Sequence, residues 1–132
     1  MSRRDDWPVR LQACINEWSA APFEFGVRDC ALFAAAAVEA MTGVDIADGL
    51  RGYSSEAEGL AIVRAAGFHD YTDVFTKMFP AADRLRVGDI AMVERQDVVA
   101  MGVVQVRGIY VMTPVRGLAL VPRSWAKNGV TI

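Results

Sequence analysis

Cys30 closes the stretch FEFGVRDC (23–30) and heads an alanine-rich apolar run. A thiol becomes a nucleophile when its thiolate is stabilised, and a helix N-terminus does this with unpaired backbone N–H groups and the positive end of the dipole. The local residues supply that setting: Gly26 permits a tight turn, Asp29 is a candidate N-cap and Cys30 opens the helix. The charge of Asp29 opposes thiolate formation, less so when its carboxylate is turned to cap the helix. A cysteine nucleophile also needs a base that takes the thiol proton and later protonates the leaving group. The single histidine, His69 in AGFHDYTD, reads as a loop residue beside a helix cap at Asp70. Asp89, Glu94 and Asp97 lie near strand ends, but a carboxylate is an uncommon base for cysteine, and Asp97 with Gln96 reads as a turn. On the residues alone Cys30 is a candidate nucleophile, and a buried structural cysteine is the alternative.

Other site chemistries find less support. One histidine and two separated cysteines make no zinc pattern, so no metal is expected. GVDIADGLRGY contains glycines but no lysine and no strand-then-helix setting, so no phosphate loop is expected. Gly52-Tyr53 reads instead as a turn with an anchoring aromatic. No cofactor is implied. A net charge of -2 leaves no electrostatic footprint for nucleic acid. The longest unbroken apolar run, Cys30 to Val38, falls well short of the roughly 18 residues of a membrane span. The polar head SRRDDW lacks the apolar core of a signal peptide. Two cysteines are too few for a disulfide framework, and Cys14 falls on an apolar helical stripe as a small hydrophobe. Synthesis in a reducing bacterial cytoplasm is expected.

The elements that must position Cys30 change character halfway along the chain. A first helix is expected over Trp7 to Ser19, with Leu11, Cys14, Ile15 and Trp18 on one face. A second, apolar nearly all round and therefore central, runs from Cys30 to Met41 and stops at Gly43. A third starts in SSEAE, where Ser55 and Glu58 have capping-box spacing, and ends by Gly67. A fourth starts near Asp70 and is stopped by Pro80. Phe23, Phe25 and Gly26 are expected to lock the first helix against the central one. Beyond Arg86 short β-rich runs follow, at 90–94, 98–106, 109–112 and 118–122, separated by turn signals. SWAKNG reads as a helical turn before a last short strand at Val130-Thr131. Helices first and an antiparallel meander after them make an α+β domain, with N-terminal helices packed on a C-terminal antiparallel sheet or half-barrel. At 132 residues the chain reads as one domain, 1–132.

FEFGVRDCALFAAAAVEAMTG resembles the nucleophile region of the NlpC/P60 cysteine peptidases, a papain-like family, and RVGDIAMVE (86–94) resembles its first sheet strand. The chain is more similar still to a compact NlpC/P60-like group of phage and prophage tail modules. These share FGxxDC, then TG and GLRGY (here Thr42-Gly43 and Gly49 to Tyr53), then GD (Gly88-Asp89) and an Ala-x-Gly strand. The likeness spans most of residues 18–128. It implies a papain-like fold with Cys30 as nucleophile and its backbone N–H at an oxyanion site. It also implies a histidine just before a small Val-Gly-Ile-like stretch, which here is VAMGVV, so that the histidine position falls on Ala100. The third, polar member falls on Met112 or Thr113. The base is therefore missing from its expected place, and alanine offers nothing instead.

The resemblance implies a structural or assembly component of a phage-type tail tip or baseplate: a virion protein and pseudoenzyme whose partners are other tail proteins. Tyr110, Val121 and Trp125 are candidate contacts. The alternative is a cysteine amidase or endopeptidase acting on peptidoglycan peptides, with its base drawn from another residue or a partner chain. A cytosolic thiol hydrolase or transferase is a third reading.

Overall fold

The computed structural model describes residues 2–95 and 98–132; the expected turn at Gln96-Asp97 lies outside them. Four helices come first: α1 (Trp7–Ser19), α2 (Cys30–Thr42), α3 (Glu56–Ala65) and α4 (Tyr71–Met78). Five strands follow: β1 (Ile90–Arg95), β2 (Val98–Gln105), β3 (Gly108–Thr113), β4 (Gly117–Val121) and β5 (Ala126–Val130). They form one antiparallel sheet in the order β4-β3-β2-β1-β5. The molecule is α+β, as the change of period predicts.

Local chemistry sets the helix ends. Asp29 caps α2 by accepting from Leu32 N–H, and Gly43 ends it in the left-handed conformation, φ 81°. The Ser55 hydroxyl accepts from Glu58 N–H at the start of α3. Asp70 accepts from Asp73 N–H at the start of α4. α2 buries Leu32, Phe33, Ala34, Ala35, Ala37, Val38 and Met41. α1 buries Leu11, Cys14 and Ile15.

Alternation along the strands sends side chains to two apolar clusters. Ile90, Met92, Met101, Val103 and Met112 face the helices, while Ala91, Val93, Val104, Ile109 and Val111 face the other way. Leu85, Val121, Trp125 and Ala126 pack against that second face.

Two local expectations are corrected. SWAKNG is not one helical turn: a short 3-10 turn spans Arg123–Trp125, and β5 runs over Ala126–Val130, starting earlier than the expected strand and leaving Thr131 outside it. Pairing with β1, including Met92 with Asn128 and Ile90 with Val130, outweighs the turn preference of Asn128-Gly129. Gly26 docks Gly52-Tyr53 and not a helix, and Phe25 is exposed, while Phe23 packs on the core that α1 and α2 share. Trp18 and Phe33 join α1 to α2, with ring centroids 5.4 Å apart.

Asp89, which follows Gly88 before β1, is buried. One carboxylate oxygen accepts from Arg3 Nη2 at 3.0 Å and from Ile132 N–H at 3.2 Å. The other accepts from Arg86 N–H at 2.9 Å. Arg3 also donates to the carbonyls of Val87 and Ile132.

Candidate functional site

Asp29 is the buried hub of the site, with 4% of its surface exposed. Oδ1 accepts from Leu32 N–H at 3.0 Å, and Oδ2 accepts from Gly26 N–H at 3.0 Å and from the Tyr53 hydroxyl. Gly26 has φ 76°, and a Cβ there would come within 2.0 Å of the Tyr53 carbonyl oxygen, so the turn requires glycine. Gly52 N–H donates to the Gly26 carbonyl at 3.1 Å. Gly26 therefore docks the 52–53 segment rather than a helix; the turn expected at Gly52-Tyr53 lies instead at 46–49. The sequence marks Tyr53 as an anchoring aromatic; its anchor is the N-cap carboxylate of the central helix.

Cys30 is the first residue of α2 and is partly exposed. Among the described residues it alone packs against both apolar clusters. Beside it opens a cleft of about 170 Å³. Phe23 and Phe25, in edge-to-face contact at 5.0 Å, stand at the rim, and Tyr53, Tyr71, Val99 and Met101 form walls. Asp29, Glu56 and Asp70 add three acidic residues to the lining, which includes no lysine, arginine or histidine among the described residues.

The thiol is held protonated. Burial pushes Cys30 up to about 11; a backbone hydrogen bond from Met101 is the main opposing pull, the charges of Asp29 and Glu56 add smaller rises, and a backbone hydrogen bond from Ala31 adds a smaller fall. The backbone donors that would favour a thiolate are thus overruled chiefly by desolvation. Burial likewise raises Tyr71 to about 12, with Asp29 and Glu56 contributing, and it raises Tyr53, whose hydroxyl keeps its proton for Asp29. An ordinary carboxylate, with a pKa of about 4, would take the thiol proton only at a cost of roughly 9 kcal/mol.

The residues singled out for a base do not converge on Cys30. His69 is exposed; its N–H donates to Asp73 and its carbonyl accepts from Arg64, which is the loop role expected of it. Ala100 packs on the second cluster, against which Cys30 also rests, while its neighbours Val99 and Met101 line the cleft from the opposite face of β2. Met112 is buried among the helix-facing side chains. The Thr113 hydroxyl donates to the Gly117 carbonyl and accepts from Arg116 N–H, which is turn chemistry. Glu94 pairs with Lys127 at 2.9 Å, and Asp89 is committed to Arg3. Asp97 lies outside the described residues. The contact candidates Tyr110, Val121 and Trp125 are half-buried and pack on the two clusters. The strongly exposed apolar residues of the sheet half are Val99, Val106, Val115 and Leu120.

Sequence reasoning missed the acidic, aromatic lining contributed by Glu56, Asp70 and Tyr71. Its signal was faint: Glu56 and Asp70 stand at the starts of α3 and α4, and the two helix N-termini bring both residues to the same cleft. No curated protein matches the chain. A domain of unknown function, DUF6950, matches residues 2–129, and the chain belongs to that family.

Proposed function

We propose that this protein is a non-catalytic relative of the NlpC/P60-like fold that serves as a structural or assembly component of a phage-type tail tip. One observation carries the non-catalytic part: among the described residues the cleft at Cys30 has no imidazole in its lining, and the thiol in it is pushed up to about 11. A cysteine hydrolase needs the opposite, a depressed thiol and an adjacent base. The tail-tip part rests on the resemblance of FGVRDC, GLRGY and the Gly88-Asp89 strand to phage tail modules. The α+β order of elements agrees with that resemblance.

The second reading is a peptidoglycan amidase or endopeptidase whose base comes from a partner chain. It is favoured by the backbone hydrogen bonds at Cys30 and by the open cleft beside it. A single experiment separates the two. The protein, alone and mixed with its co-expressed tail proteins, is incubated with muropeptides, and product is followed by mass spectrometry. No hydrolysis above that of the Cys30→Ala variant is expected in either mixture. Cys30-dependent cleavage in the mixture alone would establish the second reading, and cleavage by the protein alone would end the pseudoenzyme reading.

A further inference from the structure

The two ends of the sheet are finished differently. β5 is covered by the loop between α4 and β1: Ala82 N–H donates to the Gly129 carbonyl, Thr131 N–H donates to the Pro80 carbonyl, and Ala81 bridges Val130. β4 has no hydrogen-bonded cover of that kind among the described residues; the chain just after α1 approaches its start, with the Ala21 carbonyl 3.6 Å from where a Cβ on Gly117 would lie, and Leu118 packs on the helix-facing core. Beyond its ladder with β3, the one hydrogen bond to its main chain among the described residues is from the Thr113 hydroxyl to Gly117. No residue of Gly117–Val121 is buried, and Leu120 is 45% exposed. The strand reads GLALV and carries none of the charges with which edge strands commonly discourage pairing.

Charge stands at both ends of this bare edge. Arg116 immediately precedes β4, and Arg107, in the β2–β3 turn, stands next to Gly108, which packs against Leu120 and the Val121 carbonyl. Both arginines are exposed, and neither side chain forms an ion pair among the described residues. Residues 98–132 themselves contain no Asp or Glu. The edge is thus an uncharged strand, about 17 Å long at the usual rise, with an exposed arginine at each end that has no ion-pair partner among the described residues.

We propose that the outer edge of β4 accepts an extended segment of another protein as a sixth strand, one with an apolar, β-branched middle and a carboxylate at each end. Main-chain hydrogen bonds supply the pairing, and Arg107 and Arg116 select the charge. A second copy of this chain is the wrong occupant. Antiparallel β4–β4 pairing would set Arg116 of each copy toward Arg107 of the other, like charge against like at both ends. This surface lies two strands from β2 and makes no use of Cys30, so it stands whether or not the cleft is catalytic.

The test uses the full chain, isotope-labelled, and three capped heptapeptides: Glu-Val-Thr-Val-Thr-Val-Glu, its lysine-flanked counterpart, and the acidic peptide N-methylated at alternate residues. The acidic peptide should shift the amide resonances of residues 117–121 and slow the exchange of the outward amides at least tenfold. The lysine-flanked peptide should bind at least tenfold more weakly, and the N-methylated one should leave β4 unchanged. Because both arginines are exposed and have no ion-pair partner among the described residues, the Arg107→Glu/Arg116→Glu variant should keep the fold and reverse the charge preference. Equal binding of the acidic and lysine-flanked peptides, shifts confined to the Cys30 cleft, an unmoved β4, or self-association of the free protein through β4 would each overturn the proposal.

Discussion

At Cys30 a helix N-terminus and a desolvated, acid-lined wall act on one thiol with opposite sign. The second wins, with the thiol at about 11. At pH 7 only about one molecule in ten thousand then carries the thiolate. Alkylation of Cys30 by iodoacetamide should be slow at neutral pH and quicken roughly tenfold per pH unit until about pH 11, read by mass spectrometry of the labelled peptide. A plateau below pH 8 would show an activated thiol and sink this account. The same shift acts on stability. The folded chain holds this proton more tightly than the unfolded chain, whose thiol titrates near its ordinary value of 9.0. The stabilisation is therefore complete below about pH 9 and is lost as pH rises toward 11, by up to ~2–3 kcal/mol for a two-unit shift. Cys14, raised to about 12 by burial, acts in the same direction. Urea midpoints measured from pH 8 to 11 should fall with pH, and the fall should be shallower in Cys30→Ala. Equal slopes for the two proteins would contradict the shift.

The central helix depends on a cap that does three jobs. Asp29 receives Leu32 N–H, Gly26 N–H and the Tyr53 hydroxyl, so its removal costs more than an ordinary N-cap. Asp29→Ala should lower stability by about 2–4 kcal/mol, combining the cap with the buried donors it strands. Tyr53→Phe removes one donor from a buried carboxylate and should cost about 1–3 kcal/mol. Urea unfolding of the two single variants and the double tests the coupling; strictly additive losses would mean that the Tyr53–Asp29 bond contributes nothing. The caps themselves were legible in the sequence, because Asp29, Ser55 and Asp70 each bond to the backbone three residues on. The same holds for α2 as the central helix, since its apolar residues go all round it. Tyr53 as the partner of Asp29 was not legible. Nothing local marks a bond across 24 residues. β5 was misread for the same kind of reason: its strand character comes from the ladder with β1, not from Ala126 to Gly129 themselves.

Across the whole molecule, Arg3 and Asp89 join three segments distant in sequence. The Arg3 guanidinium bonds Asp89 and the carbonyls of Val87 and Ile132, and its charge lies over the Trp7 ring at 4.3 Å. Gly88-Asp89 could be recognised in the sequence as the opening of the sheet, but Asp89's partner is 86 residues away. Its carboxylate is nearly fully buried while the arginine keeps some solvent contact, with side-chain exposures of 2% and 18%. Losing Arg3 therefore leaves a buried carboxylate with backbone donors only, and a buried pair broken on one side costs about 3–5 kcal/mol. The partial exposure of Arg3 places the expected loss for Arg3→Met toward the lower end of that range. Asp89→Asn keeps an acceptor but points an amide at donors, so it too should destabilise. The double variant should lose clearly less than the two singles together, because the second change removes a partner already lost. A coupling of at least 1 kcal/mol from urea unfolding of all four proteins is the expected result. A coupling under about 0.5 kcal/mol would instead make Asp89 a cap for Arg86 and Ile132 alone, with Arg3 a surface residue held beside it. Amide exchange tells the same story by position. If Arg3 ties these segments together, Arg3→Met should speed exchange at the Asp89 and Ile132 amides together, while the α3 amides keep their rates.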